Sequence, residues 1–396
     1  MNHHPHFEGI VKDYVQLAVE GLPQMFDQNS GLFCNSFKKI DGRFVQEGRS
    51  PRYTMMTLLG LDQLERAGGQ SPLPIQPVLD GLLGQLDWVD CIGDLGLLLW
   101  VCAALAAERL PEIGKRLEIS TALARYEGGK TGNTMELAWF LTGLCHWGLA
   151  RPEQLSGLRE LASATYLKIR DNQGAQGIFA HMARTGSLRG RIRGWIGTFA
   201  DQVYPIYAFA KYADAYHIEQ AAQEAVACAH AICQAQGPLG QWCWHYDSTN
   251  GRLVAGYPVF SVHQHAMGPM ALFALQETTG TDFGPWIYKG LEWVAANELH
   301  VDMRDSAAKL IWRCIGRPRW KRSLDTLFGR AVKPVSNGSP GQFRILHECR
   351  PYELGWLLFA FAGRTAQSLR PADESSALRD GFEPAVPLEA RGAARS

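Results

Sequence analysis

Apolar residues along this chain recur at helical spacing, and the helices they predict are of two kinds. Segments such as "FEGIVKDYVQLAVEGLPQMF", "LSGLRELASATYLKIR" and "IEQAAQEAVACAHAICQAQ" alternate apolar and charged positions. Six others are apolar nearly all round. They are "RYTMMTLLGLDQLE" from Arg52, "DLGLLLWVCAALAAE" from Asp94, "NTMELAWFLTGLCHWGL" from Asn133, "FADQVYPIYAFAKYA" from Phe199, "HQHAMGPMALFAL" from His263 and "CRPYELGWLLFAFAG" from Cys349. A helix of that second kind must be enclosed on every side. The two kinds follow one another, outer then inner, six times over. Few segments read as strands, and none alternates with helices as a parallel sheet requires. The pattern predicts an all-α fold, an (α/α)6 toroid whose inner barrel is coated by an outer ring, with long loops on one rim.

A turn recurs between the two layers: "QNSGLF" at 28–33, "QGAQGIF" at 173–179 and "QGPLGQW" at 236–242. Glycine permits the tight turn, and the aromatic residue beyond it is expected to pack on the neighbouring hairpin. Residues 8–364 form the toroid in this reading. Residues 1–7 read as a disordered start, and 365–396, rich in Pro, Ala, Ser and charge, as a disordered tail. The basic stretch 316–342 interrupts the sixth hairpin as an insertion or lid. Its segment 316–333 is a candidate contact for a membrane surface or an anionic protein.

Composition narrows the function classes. Hydrophobic residues make up 46% and charged residues 20% of the chain, enough to bury a large core. Lys+Arg and Asp+Glu are both 39, so no global field attracts nucleic acid. The N-terminal segment lacks the apolar core of a signal peptide. The nine cysteines are scattered, mostly inside apolar runs, as expected of reduced thiols in a cytoplasmic protein.

In a toroid the inner helices run the same way, so their N-termini meet at one mouth. Free N–H groups and the positive ends of six helix dipoles gather there. The polar residues that open each inner helix therefore converge. The candidates for acid–base work are Asp94, Glu136, Asp201, His263, His265 and Glu348. Those for binding are Arg52, Tyr53, Asn133, Tyr204, Trp242, Trp244, Tyr257, Arg350 and Tyr352, with Glu353 beside them. Carboxylates, imidazoles and flat rings around a bowl suit a sugar: aromatic faces stack on its C–H surfaces, and two carboxyls in different environments serve as acid and as base or nucleophile. A His or Tyr pair suits proton transfer at a sugar carbon. Asp94 also fits an N-cap and Pro205 a first-turn position. His263 and His265 would face the same side in an extended segment. Cys243, His245, His263, His265 and Cys349 lack the spacing of a structural zinc site, so no metal or cofactor is expected.

The six helix starts resemble those of the six-hairpin glycosidase-like superfamily, (α/α)6 toroids that include glycoside hydrolases, polysaccharide lyases and sugar epimerases. The resemblance rests on architecture over about residues 8–364. It implies a carbohydrate-active enzyme acting on an oligosaccharide or polysaccharide intermediate. "QGPLGQW" also resembles the Gln-x-x-x-Gly-x-Trp turn of terpenoid cyclases and protein prenyltransferases, which implies an isoprenoid diphosphate substrate instead. The Asp-x-Asp-Asp motif of the protonating cyclases is absent. A non-catalytic glycan-binding toroid is the third alternative.

Overall fold

A computed structural model of the chain describes residues 4–127, 133–183, 194–317 and 343–364. The outer layer holds α1 (His4–Gly21), α3 (Ile75–Gly84), α5 (Leu110–Arg116) with α6 (Ala122–Glu127), α8 (Leu155–Arg170), α10 (Glu219–Gln234) and α12 (Gly284–Ala295). The inner layer holds α2 (Pro51–Arg66), α4 (Ile92–Leu105), α7 (Thr134–Ala150), α9 (Ala200–Tyr216), α11 (Gly268–Thr279) and α13 (Pro351–Phe361). Each inner helix packs on the next, and α13 returns to α2, so the ring closes as the all-round apolar pattern requires. Among the described residues, no helix is long and apolar enough to cross a membrane.

The bore is filled by rings. The indole of Trp100 on α4 lies 4.9–5.5 Å from the rings of His146 (α7), Tyr207 (α9), Trp356 and Phe359 (α13). Above this layer, Trp356 donates its indole N–H to the Tyr204 hydroxyl at 2.9 Å. Buried Trp and Tyr bring a polar tip that needs a partner, and here they satisfy each other. The mouth is thus a bowl with an aromatic floor.

Several sequence readings change. Residues 4–7, expected to be loose, are the first turn of α1, because Phe7 is buried and stacks on Tyr288 at 4.3 Å. Pro205 lies one turn inside α9. The N-cap of α4 is Cys91, whose thiol accepts the N–H of Asp94; Asp94 is the third helical residue. His263 and His265 lie in a π-helical turn, His263–Met267, and so are not extended. Pro269 lies two residues beyond its end. It has no N–H for the His265 carbonyl four residues back, and its ring would clash with that carbonyl in a regular helix, which explains the local widening.

The basic insertion leaves and returns through paired strands. Cys314–Gly316 is antiparallel to Arg344–Leu346 and also to Val259–Phe260. Residues 318–342, with most of the proposed lid and contact segment, lie outside the described residues, as does the tail from 365.

The recurring turn is a hydrogen-bonded device. Gly31, Gly177 and Gly240, each two residues before the aromatic, have φ of 67°, 82° and 94°, a region only glycine enters freely. Behind each turn an inner helix offers one polar side chain to the aromatic residue's backbone. Thr54 Oγ1 accepts from Phe33 N at 3.0 Å, Gln202 Oε1 from Phe179 N at 2.8 Å, and Gln264 Oε1 from Trp242 N at 3.0 Å. The two glutamines also donate Nε2 to the same residue's carbonyl, at 2.9 and 3.1 Å. Gln264→Leu leaves the N–H of buried Trp242 unpaired and its carbonyl with only the 3.4 Å contact to His263 Nδ1, so it is expected to destabilise the protein by about 2 kcal/mol. Chemical unfolding checks this; an unchanged midpoint would refute the device.

Candidate active site at the helix mouths

The device fixes the register of three helix mouths. The residue just before each anchoring side chain is Tyr53, Asp201 and His263 in the three repeats. Each is half-buried or buried at a helix mouth, and each belongs to a different hydrogen-bonded group.

The first group joins hairpins six, one and two. Arg350 donates Nε to Glu348 at 2.8 Å and Nη1 to the Tyr53 hydroxyl at 2.8 Å. The rings of Tyr53 and Tyr352 lie 4.7 Å apart. Arg52, the next residue round the rim, donates Nε to Asp94 at 2.7 Å and Nη2 to the Cys91 thiol at 3.2 Å. Its guanidinium also covers the Trp139 ring at 5.4 Å. Asn133 and Glu136 form a capping box at the start of α7, with Glu136 taking the Asn133 N–H at 3.1 Å. Glu136 is near enough to Arg52 to raise the guanidinium's proton affinity. So Arg52, Tyr53, Asp94, Asn133, Glu136, Glu348, Arg350 and Tyr352 are brought to one rim, with Tyr204 at its floor.

Behind this rim stands a residue that sequence reasoning missed. Arg313, from the strand-like "LIWRCIG", donates to Glu353 at 2.7 Å and lies 3.7 Å from Glu348. Glu353 is 1% exposed, and burial pushes its carboxyl up to about 7 against the opposing pull of Arg313 and Arg350. The signal in the sequence is a lone arginine in a strand-like apolar run, since a charge buried there needs a partner.

The second group centres on Asp201, which is fully buried. One oxygen accepts from the Thr198 N–H at 2.8 Å, the Thr198 hydroxyl at 2.7 Å and His181 Nδ1 at 2.9 Å. The other accepts the Met135 N–H, an orphan donor in the first turn of α7, at 3.3 Å. His181 was also missed. It follows the aromatic of the second repeated turn by two residues, as Asn35 and Trp244 follow theirs, so the register of the repeat points to it.

The third group is drier. His263 is 4% exposed, its ring 4.3 Å from that of Phe199, with Nδ1 3.4 Å from the Trp242 carbonyl. His265 is fully buried, and neither ring nitrogen has a side-chain hydrogen-bond partner among the described residues. Burial pushes both imidazoles down to about 3, so both are neutral at neutral pH. Trp242 is fully buried behind the bowl, its indole N–H given to the Ile232 carbonyl at 3.2 Å. Trp244 packs on His245 and Phe260 at the rim. Tyr257 stacks on Phe343 at 4.1 Å, at the stem of the insertion. Among the described residues, no cluster of His, Cys, Asp and Glu is arranged to hold a metal ion.

No family model matches this chain, and no curated protein does. Solved structures do match it. A sugar epimerase from a ruminal bacterium superposes with a TM-score of 0.60 at 8% identity, covering 89% of this chain and 98% of that one. An unsaturated glucuronyl hydrolase of Bacillus sp. GL1, responsible for the degradation of glycosaminoglycan, gives 0.56 at 14%, covering 89% and 95%. A possible member of the GH105 family from Salmonella enterica gives 0.56 at 12%, covering 92% and 95%. The fold is therefore an (α/α)6 toroid, as the hydrophobic pattern predicts.

Proposed function

We propose that this toroid is a carbohydrate-active enzyme of the hydrolase, lyase or epimerase type, acting on an oligosaccharide by carboxylate and imidazole acid–base chemistry. The observation that carries the reading is the run Glu348–Arg350–Tyr53 beside Arg52–Asp94, partly exposed at the rim above an aromatic floor. Two guanidiniums there serve to bind an acidic sugar, since Arg pairs with carboxylate in a planar fork. Asp94, Glu136 and Glu348 are the carboxylates within reach of the same space. The structural neighbours include a sugar epimerase and an unsaturated glucuronyl hydrolase, which supports this class. The isoprenoid reading loses its main support, because the aromatic residues of the Gln-x-x-x-Gly-x-Trp turns, Phe179 and Trp242, are fully buried in packing.

The test is a panel of saturated and unsaturated uronides and neutral oligosaccharides, assayed for release, elimination and isomerisation. Asp94→Asn is expected to lower kcat by about 10²-fold or more, in the range of a lost acid–base group. Arg350→Ala is expected to raise KM for an acidic substrate by about 10-fold, the loss of one charged hydrogen bond, with less effect on a neutral one. Wild-type protein that turns over and binds no member of the panel would remove the proposal.

A further inference from the structure

We propose that Cys91 is a positioning residue: its thiol is a wedge between Arg52 and Asp94 that keeps one carboxylate oxygen of Asp94 open to proton exchange. This rests on the carbohydrate-enzyme reading above. Three distances define the arrangement. Arg52 donates Nε to Asp94 Oδ1 at 2.7 Å and Nη2 to Cys91 Sγ at 3.2 Å, and Sγ in turn donates to Asp94 Oδ2 at 3.4 Å. Sγ also accepts the Asp94 N–H at 3.4 Å, as the N-cap of α4. Guanidinium, thiol and carboxylate therefore close a ring in which each group touches the other two.

An arginine beside a carboxylate ordinarily places two parallel N–H bonds on its two oxygens. Here the second of those bonds ends on sulfur. Oδ2 is left with the Cys91 S–H and the Asp90 N–H, each at 3.4 Å. Both hold it weakly, because a thiol is a poor donor and the N–H bond is long. Oδ2 thus keeps the more basic lone pairs of Asp94, and it is the oxygen that takes a proton from substrate or returns one. The thiol carries its hydrogen at neutral pH. Burial, with Asp94 and Glu136 beside it, pushes it up to about 12 against the opposing effects of the Asp94 N–H and Arg52. The guanidinium also lies over Trp139 at 5.4 Å, a support that remains when the sulfur is removed. Without the sulfur, Nη2 turns onto Oδ2 and completes the fork. A second bond from a cation favours the ionised carboxylate, so Asp94 becomes a stronger acid and a poorer base. The charged groups that face Cys91 are Arg52 on α2, Asp94 on its own helix and Glu136 on α7.

Two measurements on the full-length protein test the proposal. The infrared spectrum of wild-type protein minus that of Cys91→Ser isolates one S–H stretch. It is expected at lower wavenumber than the same difference taken in the Asp94→Asn background, because an ionised carboxylate is the stronger acceptor. A stretch at the same wavenumber in both backgrounds would overturn the thiol–carboxylate bond whatever the activity. The second measurement uses whichever uronide or oligosaccharide of the panel the wild-type protein turns over. Cys91→Ala is expected to lower kcat about tenfold, the contribution of one hydrogen bond, with KM changed less. The limb of the pH–rate profile that Asp94→Asn abolishes should move to lower pH. Cys91→Ser retains a donor and an acceptor, so it should recover most of the rate and return the limb. Loss of the helix cap alone would lower the melting temperature of Cys91→Ala and leave the limb in place, and that result would overturn the proposal. A limb displaced equally in both variants would overturn it too. The serine variant keeps the cap, so the infrared test stands even where Cys91→Ala fails to fold. Absence of turnover in wild-type protein would refute the enzyme reading itself, while the S–H stretch would still decide the bond.

Discussion

Gly96→Val is expected to prevent folding or to lower stability by about 3 kcal/mol or more, at the upper end of the cost of overpacking, because backbone rather than side chain would have to move. A Cβ at Gly96 would stand 2.3 Å from Phe140 N and 2.4 Å from Phe140 Cα; one at Gly143 would stand 2.3 Å from the Gly96 carbonyl. The inner helices α4 and α7 thus touch main chain to main chain. The same holds where the ring closes, since a Cβ at Gly60 would meet the Gly355 carbonyl at 2.1 Å. One turn above Gly96, a Cβ at Gly93 would strike Glu136 and Trp139 at 2.9 Å. That close approach is what brings Glu136 and Trp139 beside Arg52, so the packing seam also sets the rim. Gly157 on α8 has nothing within 4 Å, and Gly157→Ala is expected to be neutral or slightly stabilising, by about 0.5–1 kcal/mol from helix propensity. Thermal melts of the two variants check the contrast. A Gly96→Val protein that melts with the wild type would refute the main-chain seam.

The toroid was legible because burial has a plain signature in sequence. A helix apolar on every face must be surrounded, and six of them separated by amphipathic helices admit few arrangements. The common mouth followed from that topology alone, and so did most of its polar residues. What escaped was set by partners distant in sequence. Asp201 reads as a helix-mouth carboxylate, and nothing local shows that His181 and Thr198 close over it. Arg313 sits in the link between two short strands, Leu310–Ile311 and Cys314–Gly316, and nothing local shows that Glu353, forty residues on, needs its charge. Trp242 reads both as the packing residue of the repeated turn and as a surface for ligand stacking, because aromatic side chains serve both cores and sugars. The anchoring glutamines decide the matter by pulling that residue's backbone inward. The π turn at His263–Met267 depends on Pro269 and hides from any reading that assumes regular helix.

Arg313→Met is expected to destabilise the protein by about 3–5 kcal/mol near pH 8, the cost of leaving a buried carboxylate without its partner, and by much less near pH 5. The sign follows from Glu353. Its carboxyl ionises near 4.5 when exposed, and burial pushes it up to about 7 in the folded chain. Below 4.5 both states hold the proton. Between 4.5 and 7 the unfolded chain releases it while the folded one retains it, so this group's contribution to stability falls as pH rises. Above 7 both are ionised and the loss is constant. Removing Arg313 takes away the cation that opposes the effect of burial, so the folded-state value rises further and the fall continues to higher pH. Arg313→Met with Glu353→Gln together should recover most of the loss, since the carboxylate that Arg313 holds at 2.7 Å is then replaced by a neutral amide and Glu348 keeps Arg350. Urea unfolding of the three variants at the two pH values makes the comparison, and equal penalties for Arg313→Met at both would refute it. Arg313 also stands 3.7 Å from Glu348, which Arg350 holds at 2.8 Å. In the variant Glu348 relies on Arg350 alone, and Arg350 then has less freedom to turn towards a substrate carboxylate. A loss of affinity for acidic sugars that persists at pH 5, where the fold is spared, would separate this effect from instability.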